Sequence, residues 1–166
     1  MRDSKTGASS ARRPRSGSGA TVATPYDKDV ILWSEEQSRL LRARRFSELD
    51  LEHLADEIED VGRSEKRELA NRMALLIAHL IKWKSQPDNR TSSWRATIND
   101  QRKRIALAIK ETPSLKAVMR VPDWQEDVWL DARSQARKEM GLAEDELPEA
   151  CPWPPDQAAD PEFWPE

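Results

Sequence analysis

Residues 50–84 read DLEHLADEIEDVGRSEKRELANRMALLIAHLIKWK. Leu51, Leu54, Ile58, Gly62, Glu65, Leu69, Met73, Leu76, Leu80 and Trp83 follow one another at steps of three or four throughout. That spacing puts all of them on one face of an α-helix. Asp50 precedes the run and suits an N-cap, because its carboxylate can accept from the first free N–H groups. One helix of about 34 residues would be roughly 50 Å long. Gly62 lies inside it and costs about 1 kcal/mol against alanine. The alternative is a hairpin that breaks at Gly62-Arg63-Ser64. The phase of the stripe survives the glycine, which favours a continuous helix.

The flanks add shorter elements. Thr24-Pro25 suits the start of a helix, with Asp27 and Asp29 near the positive end of its dipole. Val30, Trp33, Gln37, Leu40 and Leu41 recur at helical spacing, and Arg42, Arg44 and Arg45 favour a C-terminus. Pro87 stops the long helix near Lys84. Ser92 or Ser93 caps a third helix whose inner face holds Trp94, Ile98, Ile105 and Ile109. Thr112-Pro113 restarts a short fourth helix to about Arg120. Pro122 or Asp123 begins a fifth, with Trp124, Val128, Ala132 and Ala136 inward and Gly141 as C-cap. No strand-like alternation and no internal repeat is present. The fold class is therefore all-α, a bundle of about five helices built on one long helix.

Two terminal segments differ in composition. Residues 1–23 are rich in Ser, Gly, Ala and Arg and offer little apolar surface to offset chain entropy. They read as a disordered basic arm, with five Lys or Arg against Asp3. Residues 24–166 read as one helical domain. Its last part, 141–166, is an acidic strap rich in Pro and Trp, with eight carboxylates and no base. The full chain of 166 residues has a formal charge of −3, which conceals the contrast between basic arm and acidic body. An acidic body disfavours general nucleic-acid affinity, which needs phosphate neutralisation.

Other classes are set aside on simple grounds. The longest apolar run, Ala74 to Ile81, is interrupted by His79 and falls far short of the ~20 residues that cross a bilayer. No membrane association is expected. Residues 1–23 show no hydrophobic stretch of the secretory kind. Cys151 is the single cysteine, so an internal disulfide is excluded.

Many short pieces recur in a familiar order. They run from Tyr26-Asp27-Lys28-Asp29, Trp33 and Glu36-Gln37 through Leu40-Leu41-Arg42, Phe46 and Leu49-Asp50 to Leu54-Ala55-Asp56-Glu57-Ile58-Glu59. Gly62-Arg63-Ser64-Glu65, His79-Leu80-Ile81-Lys82-Trp83, Ser93-Trp94-Arg95 and Cys151-Pro152-Trp153 complete the set. Together they resemble the bacterial "domain of unknown function" family twenty-nine, over about Pro25 to Phe163. The resemblance implies an all-helical, bacterial, cytoplasmic protein. It implies no activity.

Candidate chemistry is sparse. His53 and His79 are the only histidines and stand 26 positions apart, roughly 39 Å along one helix. They cannot share a metal within one chain, and no metal-ligand spacing of the zinc or di-iron kind is present. No metal ligand, cofactor or catalytic residue is assigned. Glu65 falls on the apolar stripe, where a carboxylate is costly unless paired. Glu65 and His79 are the buried polar candidates, with Arg95 the first partner expected for Glu65 and Gly62 allowing another helix to come close. Cys151 is expected to pack under the strap.

The best ligand site is the junction after the long helix. Lys82, Lys84, Arg90, Arg95 and Arg102 cluster there with Trp83 and Trp94 and a capped helix start at Ser92-Ser93. Such a start offers free N–H groups to an anion.

These readings favour a non-enzymatic helical interaction module whose partner is another protein or a second copy of the chain. A nucleic-acid- or phosphate-binding protein using the Lys82–Arg102 junction and the basic arm is the alternative. A metal-dependent enzyme is the third.

Overall fold

A computed structural model of the protein describes residues 24–143 and 146–166. The basic arm expected over residues 1–23 lies outside the described residues. The described chain contains six helices and no strand. They are α1 (Val30–Arg42), α2 (Leu51–Ser85), α3 (Ser92–Glu111), α4 (Leu115–Val118), α5 (Pro122–Met140) and α6 (Pro155–Ala158). The chain divides into two compact units, one ending at Leu54 and one beginning at Ala55.

The first unit is small. α1 begins at Val30 rather than at Thr24-Pro25. The Asp29 carboxylate accepts from the N–H groups of Ile31 and Leu32 at 3.1 and 3.0 Å, so it is the true N-cap. The Pro25 carbonyl closes a tight turn with Lys28 instead. Trp33, Gln37 and Leu40 are buried. The Trp33 indole N–H donates to Asp50 Oδ2 at 3.1 Å, and the Asp50 backbone N–H donates to Gln37 Oε1 at 2.9 Å. Asp50 Oδ1 accepts from the His53 backbone N–H at 3.3 Å, which makes Asp50 the N-cap of α2, as its sequence position indicates.

The second unit is organised on the C-terminal half of α2. The helix runs unbroken past Gly62 for 35 residues. Every residue from Leu76 to Trp83 is buried, so this part is enclosed on all sides, as expected of a central core helix. Ile98 and Ile105 of α3, Leu115 of α4, and Val128, Trp129, Ala132 and Ala136 of α5 belong to the same core. Each fully buried large aliphatic contributes about 1.5–3 kcal/mol of transfer free energy. α5 ends where predicted. Gly141 adopts φ +68° and returns its N–H to the Arg137 carbonyl, a left-handed cap that other residues adopt only with strain.

The strap joins this core directly. Leu147, Trp153 and Ala158 are buried within it. The Trp129 indole N–H donates to the Glu149 carbonyl at 2.8 Å, and Trp153 meets Phe163 edge-on at 5.8 Å.

The predicted stripe fails in its first half. Leu54 is half-buried, but Leu51 and Ile58 are 67 and 72 % exposed, and Val61 beside the stripe is 67 % exposed. Glu65 is exposed as well, which corrects its assignment as a buried carboxylate paired with Arg95. It lines a shallow groove with Arg104 and Leu107 of α3 instead. Among the described residues no helix packs against Gly62, since an added Cβ there would meet nothing within 4 Å. The physical reason is length: burial of the stripe begins only at Leu69.

Candidate functional site

The junction after α2 owes its shape to Pro87. The proline begins a single 3₁₀ turn, Pro87–Asn89, and α3 starts three residues later. Thr91 is the N-cap, its hydroxyl accepting from the Trp94 N–H at 3.2 Å. The cap is therefore neither Ser92 nor Ser93. Threonine precedes both serines and reaches the N3 donor first. Ser93 is exposed, and its carbonyl accepts from the Thr97 hydroxyl.

The tight turn sets the last turn of α2 beside the first of α3, and the cations there take different roles. Lys82 is buried, forms an ion pair with Glu139 of α5 and lies 4.6 Å from the centre of the Trp94 ring. The lysine holds the Glu139 carboxyl below its usual range, through a hydrogen bond above all. Removing Glu139 would leave the Lys82 ammonium buried without its counter-ion, whereas Glu139 itself is exposed.

Arg102 is 3 % exposed and turned to the strap. Its guanidinium donates to the carbonyls of Ala158 (3.0 Å), Pro161 (3.3 Å) and Phe163, and it packs 5.1 Å from the Trp164 ring. Burial draws the guanidinium below its ordinary pKa. Three oriented carbonyls supply the acceptors that burial removes from water. Lys82 and Arg102 are therefore committed to structure. Lys84 is exposed in the last turn of α2, where a cation complements the helix dipole.

Arg90 and Arg95 are brought together with Trp83. The Arg90 Nε–H donates to the Trp83 carbonyl at 2.8 Å, satisfying one of the acceptors that a helix end leaves open. Its guanidinium lies 5.0 Å from the Trp83 ring. The Arg95 guanidinium lies 5.4 Å from Trp83 and 5.5 Å from Trp164. The two indoles approach to 4.8 Å at 51°. These groups line an open cavity of about 630 Å³ together with Asn99, Glu162, Pro165 and Glu166. The strap's share of this wall was not legible in the sequence. Glu162 and Glu166 lie more than 65 positions from Arg95, and no local signal links them.

The remaining polar candidates are structural. His79 is buried, and its Nδ1–H donates to the Leu75 carbonyl at 3.0 Å. Burial pushes its pKa down, and nearby Lys82 adds to this. Cys151 donates its thiol to the Trp153 carbonyl at 3.2 Å, and burial pushes the thiol pKa up, away from thiolate reactivity. His53 belongs to a second aromatic cluster, which sequence reasoning missed. Tyr26 stacks on it at 4.3 Å and meets Trp33 edge-on at 5.0 Å. His53 Nδ1 lies 2.7 Å from Asp50 Oδ2. That hydrogen bond raises the imidazole pKa. Desolvation pushes the Asp50 carboxyl up, but bonds from His53 and Trp33 more than offset this and hold it low.

Among the described residues, no three His, Cys, Asp or Glu side chains gather as a metal site. Among the same residues, no helix is long and apolar enough to cross a membrane.

No curated protein and no solved structure matches the chain. One family model does, described as a domain of unknown function, over residues 25–164. This range takes in all six helices and the strap as far as Trp164; the chain belongs to the DUF29 family.

Proposed function

We propose that this protein is a non-enzymatic interaction module that pairs with a second copy of itself through residues 55–68 of α2. The observation behind the proposal is the exposed half of the stripe, with Ile58 and Val61 one turn apart at 72 and 67 % exposure. Gly62 sits beside them with open space where a Cβ would stand. Glycine in a helix interior costs about 1 kcal/mol, and among the described residues no contact explains it here. Close approach of a second backbone would.

Charge favours a second copy over an unrelated partner. Residues 51–61 carry Glu52, Asp56, Glu57, Glu59 and Asp60 and no Lys or Arg. Residues 62–72 carry Arg63, Lys66, Arg67 and Arg72 against Glu65 and Glu68. Two such helices crossing antiparallel near Gly62 set each acidic stretch against the other's basic stretch. That is the self-complementary pattern a two-fold dimer requires.

The test is sedimentation of the full chain from micromolar to millimolar concentration. The wild type should move from monomer to dimer, and the shift should weaken with added salt. The double variant Ile58→Asp, Val61→Asp should remain monomeric with unchanged helicity. A wild-type mass independent of concentration across that range would overturn the proposal.

A further inference from the structure

The cavity beside Arg90 and Arg95 contains an unresolved electrostatic arrangement. Two guanidiniums and the carboxylates of Glu162 and Glu166 line the same space of about 630 Å³. Among the described residues, no ion pair joins them, although shorter-range pairs form elsewhere on the surface. The volume falls within the range of about 300–1,000 Å³ typical of small-molecule sites.

Each wall is held from behind. Trp83 and Trp164 stack against Arg95, and Trp83 also supports Arg90. The Nε of Arg90 is already used on the Trp83 carbonyl, so its terminal nitrogens remain to meet a ligand. The strap is pinned by Arg102 through the Ala158, Pro161 and Phe163 carbonyls, which places Glu162 inside the fixed segment. The four charged side chains stay exposed, and the backbone fixed up to Phe163 limits the freedom lost on binding.

We infer that this cavity binds a small zwitterion, whose oxyanion meets Arg90 and Arg95 and whose ammonium meets the carboxylates of Glu162 and Glu166. Guanidinium forks match the planar oxygens of a carboxylate or the oxygens of a phosphate. A ligand with only negative charge would face the two carboxylates unrelieved. A ligand with only positive charge would face the two arginines. A molecule with both charges, separated by a short carbon chain, answers both walls. The parts of Trp83 and Trp164 that line the cavity then border its apolar middle.

The experiment is titration of the full chain with γ-aminobutyrate and with phosphoethanolamine, read by tryptophan fluorescence and calorimetry. Inorganic phosphate and butylamine serve as single-charge controls. At least one zwitterion should saturate, and bind more tightly than either control. Arg95→Gln should weaken it about tenfold, the scale of one lost charge-assisted hydrogen bond. Glu162→Gln, on an exposed position, should reduce the preference for zwitterion over phosphate while leaving helicity intact. Three results would overturn the inference: no saturation by either zwitterion, phosphate binding as tightly as the zwitterions, or binding that neither substitution changes.

Discussion

The two halves of α2 share one helical phase and differ in almost everything else. From Leu69 to Trp83 the stripe is buried, and Leu76, Leu80 and Met73 have no exposed surface. From Ala55 to Glu68 the same stripe lies open, with Ile58 72 % exposed. On the stripe itself Ile58 is as apolar as Leu76, and the sequence separates the halves by their flanks, charged over 55–68 and apolar over 74–81. The difference comes from which part of the helix α3, α5 and the strap reach. Periodicity identifies a face, and only packing decides whether that face is covered.

The largest expected effect tests this directly. Leu76→Ala should cost about 2–5 kcal/mol, because the core around it cannot collapse fully onto the space left. Ile58→Ala, the same kind of truncation on the same stripe, should change stability by less than about 0.5 kcal/mol in dilute protein. Denaturant unfolding of both variants gives the comparison. Equal losses would mean that the two halves are buried alike.

Gly62→Ala sharpens it with a smaller effect of opposite sign. No neighbour lies within 4 Å of the added methyl, so the helix should gain about 1 kcal/mol in dilute solution. Thermal unfolding of the monomer measures the gain. If a second copy packs closely at this point, the same substitution should weaken dimerisation while it stabilises the monomer.

The smallest effects concern the two histidines. The Asp50 hydrogen bond raises the His53 pKa, and burial lowers that of His79. The stabilisation from His53 is fully present below the unfolded value of about 6.5, and is lost as pH rises through its raised folded value. The His79 contribution runs the other way. It is intact above the unfolded value and is lost as pH falls toward the depressed folded value, because the unfolded chain binds the proton more readily. Two-dimensional NMR of the imidazole signals should show His53 titrating above His79. The reverse order would contradict both environments.

Much of the helical framework was legible from local rules. Asp50 caps α2, Pro87 ends it, Pro122 opens α5 and Gly141 closes it in a left-handed conformation. These are decisions made within a few residues, where a missing N–H or a missing Cβ settles the backbone. Neighbouring candidates were less separable. Asp29 displaced Thr24 and Thr91 displaced the serines, because several residues nearby offer a suitable oxygen and only the realised turn selects one.

The candidate site was legible on one wall. Arg90, Arg95 and Trp83 are close in sequence, and the proline-terminated turn had to bring them together. Lys82 and Arg102 belong to the same sequence cluster, yet their heads turn to Glu139 and to the strap carbonyls, 57 and 56–61 positions away. No spacing rule reaches that far.

Local chemistry alone set the helical class, the long α2, its stops and caps, and the charge contrast between residues 1–23 and the rest of the chain. These follow from hydrogen-bond geometry and side-chain periodicity along a few turns. Only the tertiary structure decided that Glu65 faces solvent, that Arg102 pins the strap, and that Glu162 and Glu166 share a cavity with two arginines. Those outcomes depend on which distant surfaces meet, and burial is a property of both partners in a contact.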